Sequence, residues 1–246
     1  MSWTNERVDV ARDAITAREQ AEIDAGLRRH MLGIYNYMAS GLILSGIVAY
    51  VVANTALGGV FYSGRAQLTV LGWIAVFAPL GLLLVASFAA HRLSAPAIQS
   101  MYWGLTALMG VSLAAVLQVY TGQSITRTFF VTAAAFGGLS LWGYTTQRDL
   151  SGMGSFLLMG LIGILIAGLV NLFLASSALQ FAISAIGVVI FAGLTAYDTQ
   201  RLKEEYIANM DDVVATKLQV FGALSLYLNF VNLFQFLLSF IGERKA

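Results

Sequence analysis

The chain of 246 residues contains no cysteine, so disulfides, thiolate metal sites and cysteine nucleophiles are all excluded. Proline occurs twice, at Pro79 and Pro96. Charge is scarce: 11% of residues are Asp, Glu, Lys or Arg, where a soluble domain carries about a quarter. The net charge of +1 and the lack of a basic stripe argue against a nucleic-acid partner. Enzyme signatures are missing too. There is no His-Glu-x-x-His, no P-loop and no Gly-x-Ser-x-Gly, and the two histidines, His30 and His91, fall at the edges of apolar runs. No enzymatic activity and no cofactor are expected.

What the chain has instead is apolar length. Hydrophobic residues make up 58%, gathered into seven runs at about 31–54, 68–90, 96–120, 127–146, 153–175, 178–198 and 218–241. A helix crosses a bilayer with about 20 such residues. Backbone groups in lipid must bond internally, which leaves helices as the spanning form for continuous runs; barrels would need short alternating segments. The expectation is an all-α integral membrane protein of seven transmembrane helices in residues 31–242, with a short tail at 243–246. Residues 1–30 are polar and mixed in charge, from Glu6 to Arg29, with no early apolar core. They read as a cytosolic amphipathic segment and not as a cleaved signal or an acid-poor presequence.

Orientation follows the lysines and arginines. With the amino terminus inside, ten of them fall on the inner side (Arg7, Arg12, Arg18, Arg28, Arg29, Arg92, Arg148, Arg201, Lys203 and Lys217) and four outside (Arg65, Arg127, Arg244 and Lys245). A re-entrant last helix would make the tally 12 against 2. Glycines at 160, 163, 168, 187 and 193 suit close helix packing. Pro79 removes one backbone hydrogen bond and bends its helix.

The polar residues inside these runs need an explanation. Asp198 closes the sixth run and is the one acid within any of them. A carboxylate at a helix centre costs about 2.5–3.5 kcal/mol on insertion scales. Two readings fit: a headgroup-level residue paired with Arg201 or Lys203, or a group facing the bundle interior that titrates or binds a cation. A lone acid cannot form the two-carboxylate site of an intramembrane aspartyl protease. In the last run Ser225, Asn229 and Asn232 follow i, i+4, i+7 spacing and share a face, with Gln235 nearby. That face suits interhelical hydrogen bonding or the lining of an ion path. Asn171 reads as a packing amide, and Arg127 as snorkelling to the interface.

The run Phe191-Ala-Gly-Leu-Thr-Ala-Tyr-Asp-Thr-Gln-Arg-Leu-Lys resembles the end of the sixth helix in the Bax inhibitor-1, or transmembrane Bax-inhibitor-motif, family. Tyr120-Thr-Gly-Gln-Ser-Ile, Tyr144-Thr-Thr-Gln-Arg-Asp-Leu-Ser-Gly-Met-Gly and Gly222-Ala-Leu-Ser-Leu-Tyr-Leu resemble its bacterial branch, and the likeness runs from about Leu27 to Gly242. The resemblance implies six helices around a central seventh and a pH-sensitive calcium leak, with calcium as the transported ion. It implies a paired pH sensor of two aspartates, latched by a second-helix arginine. Asp198 matches the first aspartate and is the implied weak calcium contact; Arg92 is the candidate latch, although it lies at its helix end. The second aspartate is replaced by Asn229, which cannot ionise, so a weaker or acid-shifted pH response is expected. Ser225 and Asn232 would line the path. Bacterial relatives also associate with a membrane-bound ATP-dependent quality-control protease. That makes a non-conducting stress-response regulator, acting through residues 1–30, the alternative. The implied location is the bacterial inner membrane.

Overall fold

The computed structural model describes residues 3–63, 67–89, 93–208 and 210–245; Arg65, His91 and Arg92 lie outside them. Helix α1 (Trp3–Asn54) is followed by a one-turn α2 (Gly58–Phe61) and an antiparallel pair of two-residue strands, β1 (Tyr62–Ser63) and β2 (Gln67–Leu68). Then come α3 (Val70–Ala89), α4 (Ala95–Val119), α5 (Gly122–Thr145), α6 (Ser151–Leu174), α7 (Ser177–Glu204) and α8 (Asp212–Ile241). Each apolar run therefore sits on its own long helix. Among the described residues, five of these are long and apolar enough to cross a membrane: α1 over Ala21–Asn54, α4, α6, α7 and α8. The described apolar part of α3 is shorter, and α5 carries Thr126, Arg127, Thr128, Thr132 and Ser140.

The bounds depart from the apolar runs at polar ends. At the polar start of the chain, α1 is helical from Trp3 straight into the first run. Thr121 accepts from the Ser124 N–H and starts α5 at Gly122, five residues early. Helix α7 continues six residues past Asp198, with Arg201 and Lys203 in its last turn where cations suit the helix dipole. Asp198 is thus interior to a helix and not its last residue. Asn171 does pack as read: its Oδ1 accepts from the Ser176 N–H at 3.0 Å, and its Nδ2 donates to Gln180 at 3.2 Å, closing the α6–α7 turn.

Helix α8 is the enclosed element. Its buried residues, among them Val220, Leu226, Tyr227, Val231, Leu233 and Leu238, point in every direction around the helix, as expected of a helix inside a bundle. It packs against α1, α4, α5 and α7, while α3 lies on α4 and α6 on α7. Outward faces are apolar: Phe173 is 90% exposed, Leu172 76% and Phe156 69%. A surface of this kind is stable against hydrocarbon and not against water.

The ends of α8 fix its course. At its start, Tyr206 in the α7–α8 connection packs its ring 5.5 Å from that of His30 on α1. At its end, the tail pairs with the α4–α5 turn: Lys245 N–H donates to Val119 O at 2.9 Å, Thr121 N–H to Glu243 O at 3.0 Å, and Tyr120 and Arg244 form an antiparallel bridge. Thirty residues at about 1.5 Å each cover about 45 Å, so α8 runs from one end of the bundle to the other and does not turn back. Among the glycines, Gly160 faces Ile190, Gly187 faces Phe236 and Gly193 faces Leu157 at close range. Gly163 and Gly168 face open space, so close packing does not explain those two.

Candidate ion site between the last helices

Three consecutive polar residues, Asp198, Thr199 and Gln200, are all buried on α7. Successive helix residues point about 100° apart, so the three serve different neighbours. Gln200 Oε1 accepts from the Leu150 N–H and its Nε2 donates to Arg148 O, both at 2.8 Å, strapping the α5–α6 connection to α7. Thr199 meets Ser140 of α5 at 3.0 Å, and Ser140 in turn bonds the Tyr35 hydroxyl of α1. Asp198 turns to α8. Its Oδ2 accepts from Ser225 Oγ and from Asn229 Nδ2, each at 2.7 Å. Its Oδ1 lies 3.0 Å from Arg201 Nη2.

Asp198 combines an ion pair with a protein-facing position. It pairs with Arg201, and it faces protein, at 7% exposure. Three donors, one of them charged, compensate the desolvation of the carboxylate. Hydrogen bonds to a charged group contribute about 1.5–3 kcal/mol each. The Arg201 side chain is 41% exposed, reaches Glu205 at 3.7 Å and lies 6.0 Å from the Tyr197 ring centroid. Lys203 is not a partner of Asp198; it donates to Tyr144 O at 2.9 Å, at the carboxyl end of α5. The Gln200 strap gives a direct expectation. Gln200→Leu leaves the buried Leu150 N–H unpaired and should destabilise the protein by about 1–3 kcal/mol. Thermal unfolding in detergent checks this, with the exposed Gln147→Ala as a control that should not move.

Beside this cluster lies a cavity of about 580 Å³. Helix α6 forms one wall through Gly154 and Ser155, and α8 the other through Ser225, Asn229 and Asn232, with Tyr197, Asp198 and Arg201 of α7 between them. Leu158, Leu161, Ile164 and Leu165 of α6 make the rest of the lining apolar, and the space is large enough for several waters. Of the residues singled out in the sequence, Asp198, Asn229, Ser225 and Asn232 come together here. Asn232 keeps its Nδ2 on Leu228 O at 2.8 Å, which leaves its amide oxygen for the cavity. Arg92 lies outside the described residues, so its latch role has no geometry. Among the described residues no three His, Asp or Glu gather at one point. A cation here would meet one carboxylate with amide and hydroxyl oxygens, fewer charges than a tight calcium site needs.

Farther along the same seam Phe191 and Phe236 stack at 5.6 Å between centroids. Beyond them is a second polar group, in which Ser184 donates to Ser239 at 2.9 Å and Gln180 lies 3.4 Å from Ser239. The sequence reading missed this group. The i, i+4, i+7 pattern of Asn232, Phe236 and Ser239, continuing that of Ser225, Asn229 and Asn232, was the signal available.

The family model described as inhibitor of apoptosis-promoting Bax1 matches residues 27–246. The chain belongs to the Bax inhibitor-1 family. A Caulobacter vibrioides protein is 51% identical over 244 residues, covering 96% of each chain. One from Rickettsia prowazekii is 44% identical over 238 residues, covering 97% of this chain and 99% of its own. The inner membrane protein YbhL of Escherichia coli K12 is 45% identical over 224 residues, covering 90% of this chain and 94% of its own. With its apolar helices and outward apolar faces, this member is a multi-pass membrane protein.

Proposed function

We propose that this protein is a pH-modulated calcium leak channel of the bacterial inner membrane, crossing it seven times with its amino terminus in the cytosol. The observation that carries the reading is Asp198: a buried carboxylate, held by Ser225 and Asn229, on the wall of a cavity between α6, α7 and α8. Intramembrane acids facing a cavity mark ion or proton paths. The path follows the α7–α8 seam, from the Asp198 cavity past Asn232 to Ser184 and Ser239, and is shut between them by Phe191 and Phe236. Apolar constrictions of this type gate by excluding water. Alternating short connections and the full traverse of α8 support the seven crossings, and the inner-membrane relative supports the location.

The alternative rests on a different observation. Helix α1 begins 28 residues before the apolar run at Met31 and so offers a polar helical extension to a membrane-bound ATP-dependent protease. Calcium uptake into proteoliposomes at pH 6, 7 and 8 separates the two readings. Uptake that Asp198→Ala abolishes supports the channel. No uptake above empty vesicles at any pH sinks it and favours the regulator, whose partner binding should then vanish on deletion of residues 1–30.

A further inference from the structure

A second cavity, of about 490 Å³, opens on the lipid-facing side between α1 and α5. Two helical stripes face each other across it. On α1, Arg28, Leu32 and Tyr35 follow i, i+4, i+7 spacing; on α5, Phe136, Ser140 and Tyr144 follow i, i+4, i+8. The helices run in opposite directions, so Arg28 and Tyr144 share one end of the cleft. Deeper in, the hydroxyls of Tyr35 and Ser140 bond to each other and form a floor whose polar groups are satisfied. The walls at that depth are apolar, and exposed Leu32 and Leu141 border the mouth.

The charge sits at the end where α1 is still polar. Arg28 and Tyr144 line the cleft, and Lys203 stands next to that lining, with its Nζ on Tyr144 O at 2.9 Å and 5.1 Å from the Tyr144 ring centroid. That bond uses one of three ammonium donors. Glu22 and Asp24 stand farther out along α1. One end is thus cationic and the remainder apolar, over a length that takes an acyl chain. Gly137 deepens the cleft: a Cβ built there meets nothing within 4 Å.

We propose that this cleft binds an anionic phospholipid, with its phosphate on Arg28 and Lys203 and one acyl chain lying along Leu32 and Phe136. Basic pockets between membrane helices on the inner side hold lipid headgroups in this way, and a guanidinium matches phosphate geometry. A neutral phosphocholine headgroup would bring its own cation to the same rim and lose the attraction. The site is independent of ion conduction.

The test uses the full chain in neutral detergent, titrated with phosphatidylglycerol or phosphatidylcholine. Bound lipid is read by native mass spectrometry and stability by thermal unfolding. Phosphatidylglycerol should be retained one to one in preference to phosphatidylcholine and should raise the unfolding temperature. Arg28→Gln should weaken that retention by about fivefold, the effect of one charge at a membrane surface. Gly137→Leu projects a side chain into the cleft from a position where its Cβ meets nothing within 4 Å and should abolish retention while the chain stays folded. Equal retention of the two lipids overturns the proposal. So does retention of phosphatidylglycerol that neither variant changes, and so does a wild-type dimer that Gly137→Leu converts to monomer, which would make a second copy the occupant.

Discussion

Gly143→Val should separate α5 from α7 and lower the unfolding temperature by several degrees, whereas Gly138→Ala should leave it unchanged or raise it. The reason is what stands opposite each position. A Cβ on Gly143 would lie 2.2 Å from the carbonyl oxygen of Ala196 and 2.9 Å from its carbonyl carbon and Cα. Those are backbone atoms in the middle of α7, which cannot rotate away as a side chain would. Overpacking of a filled core costs about 1–3 kcal/mol even where side chains absorb it, so the upper end applies here. The loss also spreads. The same close approach sets the reach of Ser140 to Thr199 at 3.0 Å and of Lys203 to Tyr144 O at 2.9 Å. Gly138 is exposed, and a Cβ there meets nothing within 4 Å; alanine then improves helix propensity by up to about 1 kcal/mol. Fluorescence-detected unfolding of both variants in one detergent decides it. A Gly143→Val protein that melts with wild type would mean α5 and α7 are not held at this separation.

That contact also shows what was legible in the sequence. The seven apolar runs follow from length alone, because a backbone in hydrocarbon has few solutions. Their ends were misjudged where a polar residue was read as a stop. Asp198 ends the sixth apolar run but not its helix, since Arg201, Ser225 and Asn229 meet its charge. The shared face of Ser225, Asn229 and Asn232 was readable from spacing. Which helix it faces was not, because adjacency in a bundle is not local information. The hydroxyls were quieter still. Thr195 and Thr199 bond the carbonyl four residues back, a self-contained arrangement that gives a sequence reader no reason to look for a partner. Only packing reveals that Thr199 also meets Ser140. The tail was illegible for a similar reason: Glu243 and Lys245 form strand-like bonds with a turn about 120 residues away.

Asn229→Asp should turn the weak pH response of this protein into one that changes about tenfold between pH 6 and 8. In this protein Asn229 Nδ2 donates to Asp198 Oδ2 at 2.7 Å, and an amide has no proton to lose in that range. A carboxylate in its place sets two oxygens at about that distance, and both cannot be ionised without strong repulsion. Ser225 has one proton to give, and Arg201 already faces the other oxygen of Asp198, so neither relieves the new pair fully. At the acid end the two carboxyls share a proton and hold α7 to α8 as the amide does. As pH rises the shared proton leaves, the helices repel, and the Phe191–Phe236 stack on the same seam loosens. Calcium uptake by the variant should therefore increase with pH more steeply than that of wild type over this range. One pK unit of interaction between the carboxyls corresponds to that factor of ten. A second readout does not need conduction: the variant's unfolding temperature should fall relative to wild type over the same pH window. Superimposable pH–flux curves together with parallel unfolding temperatures would show that residue 229 does not control the seam. A pH-dependent unfolding temperature with no uptake in either protein would keep the carboxyl pair and remove the channel.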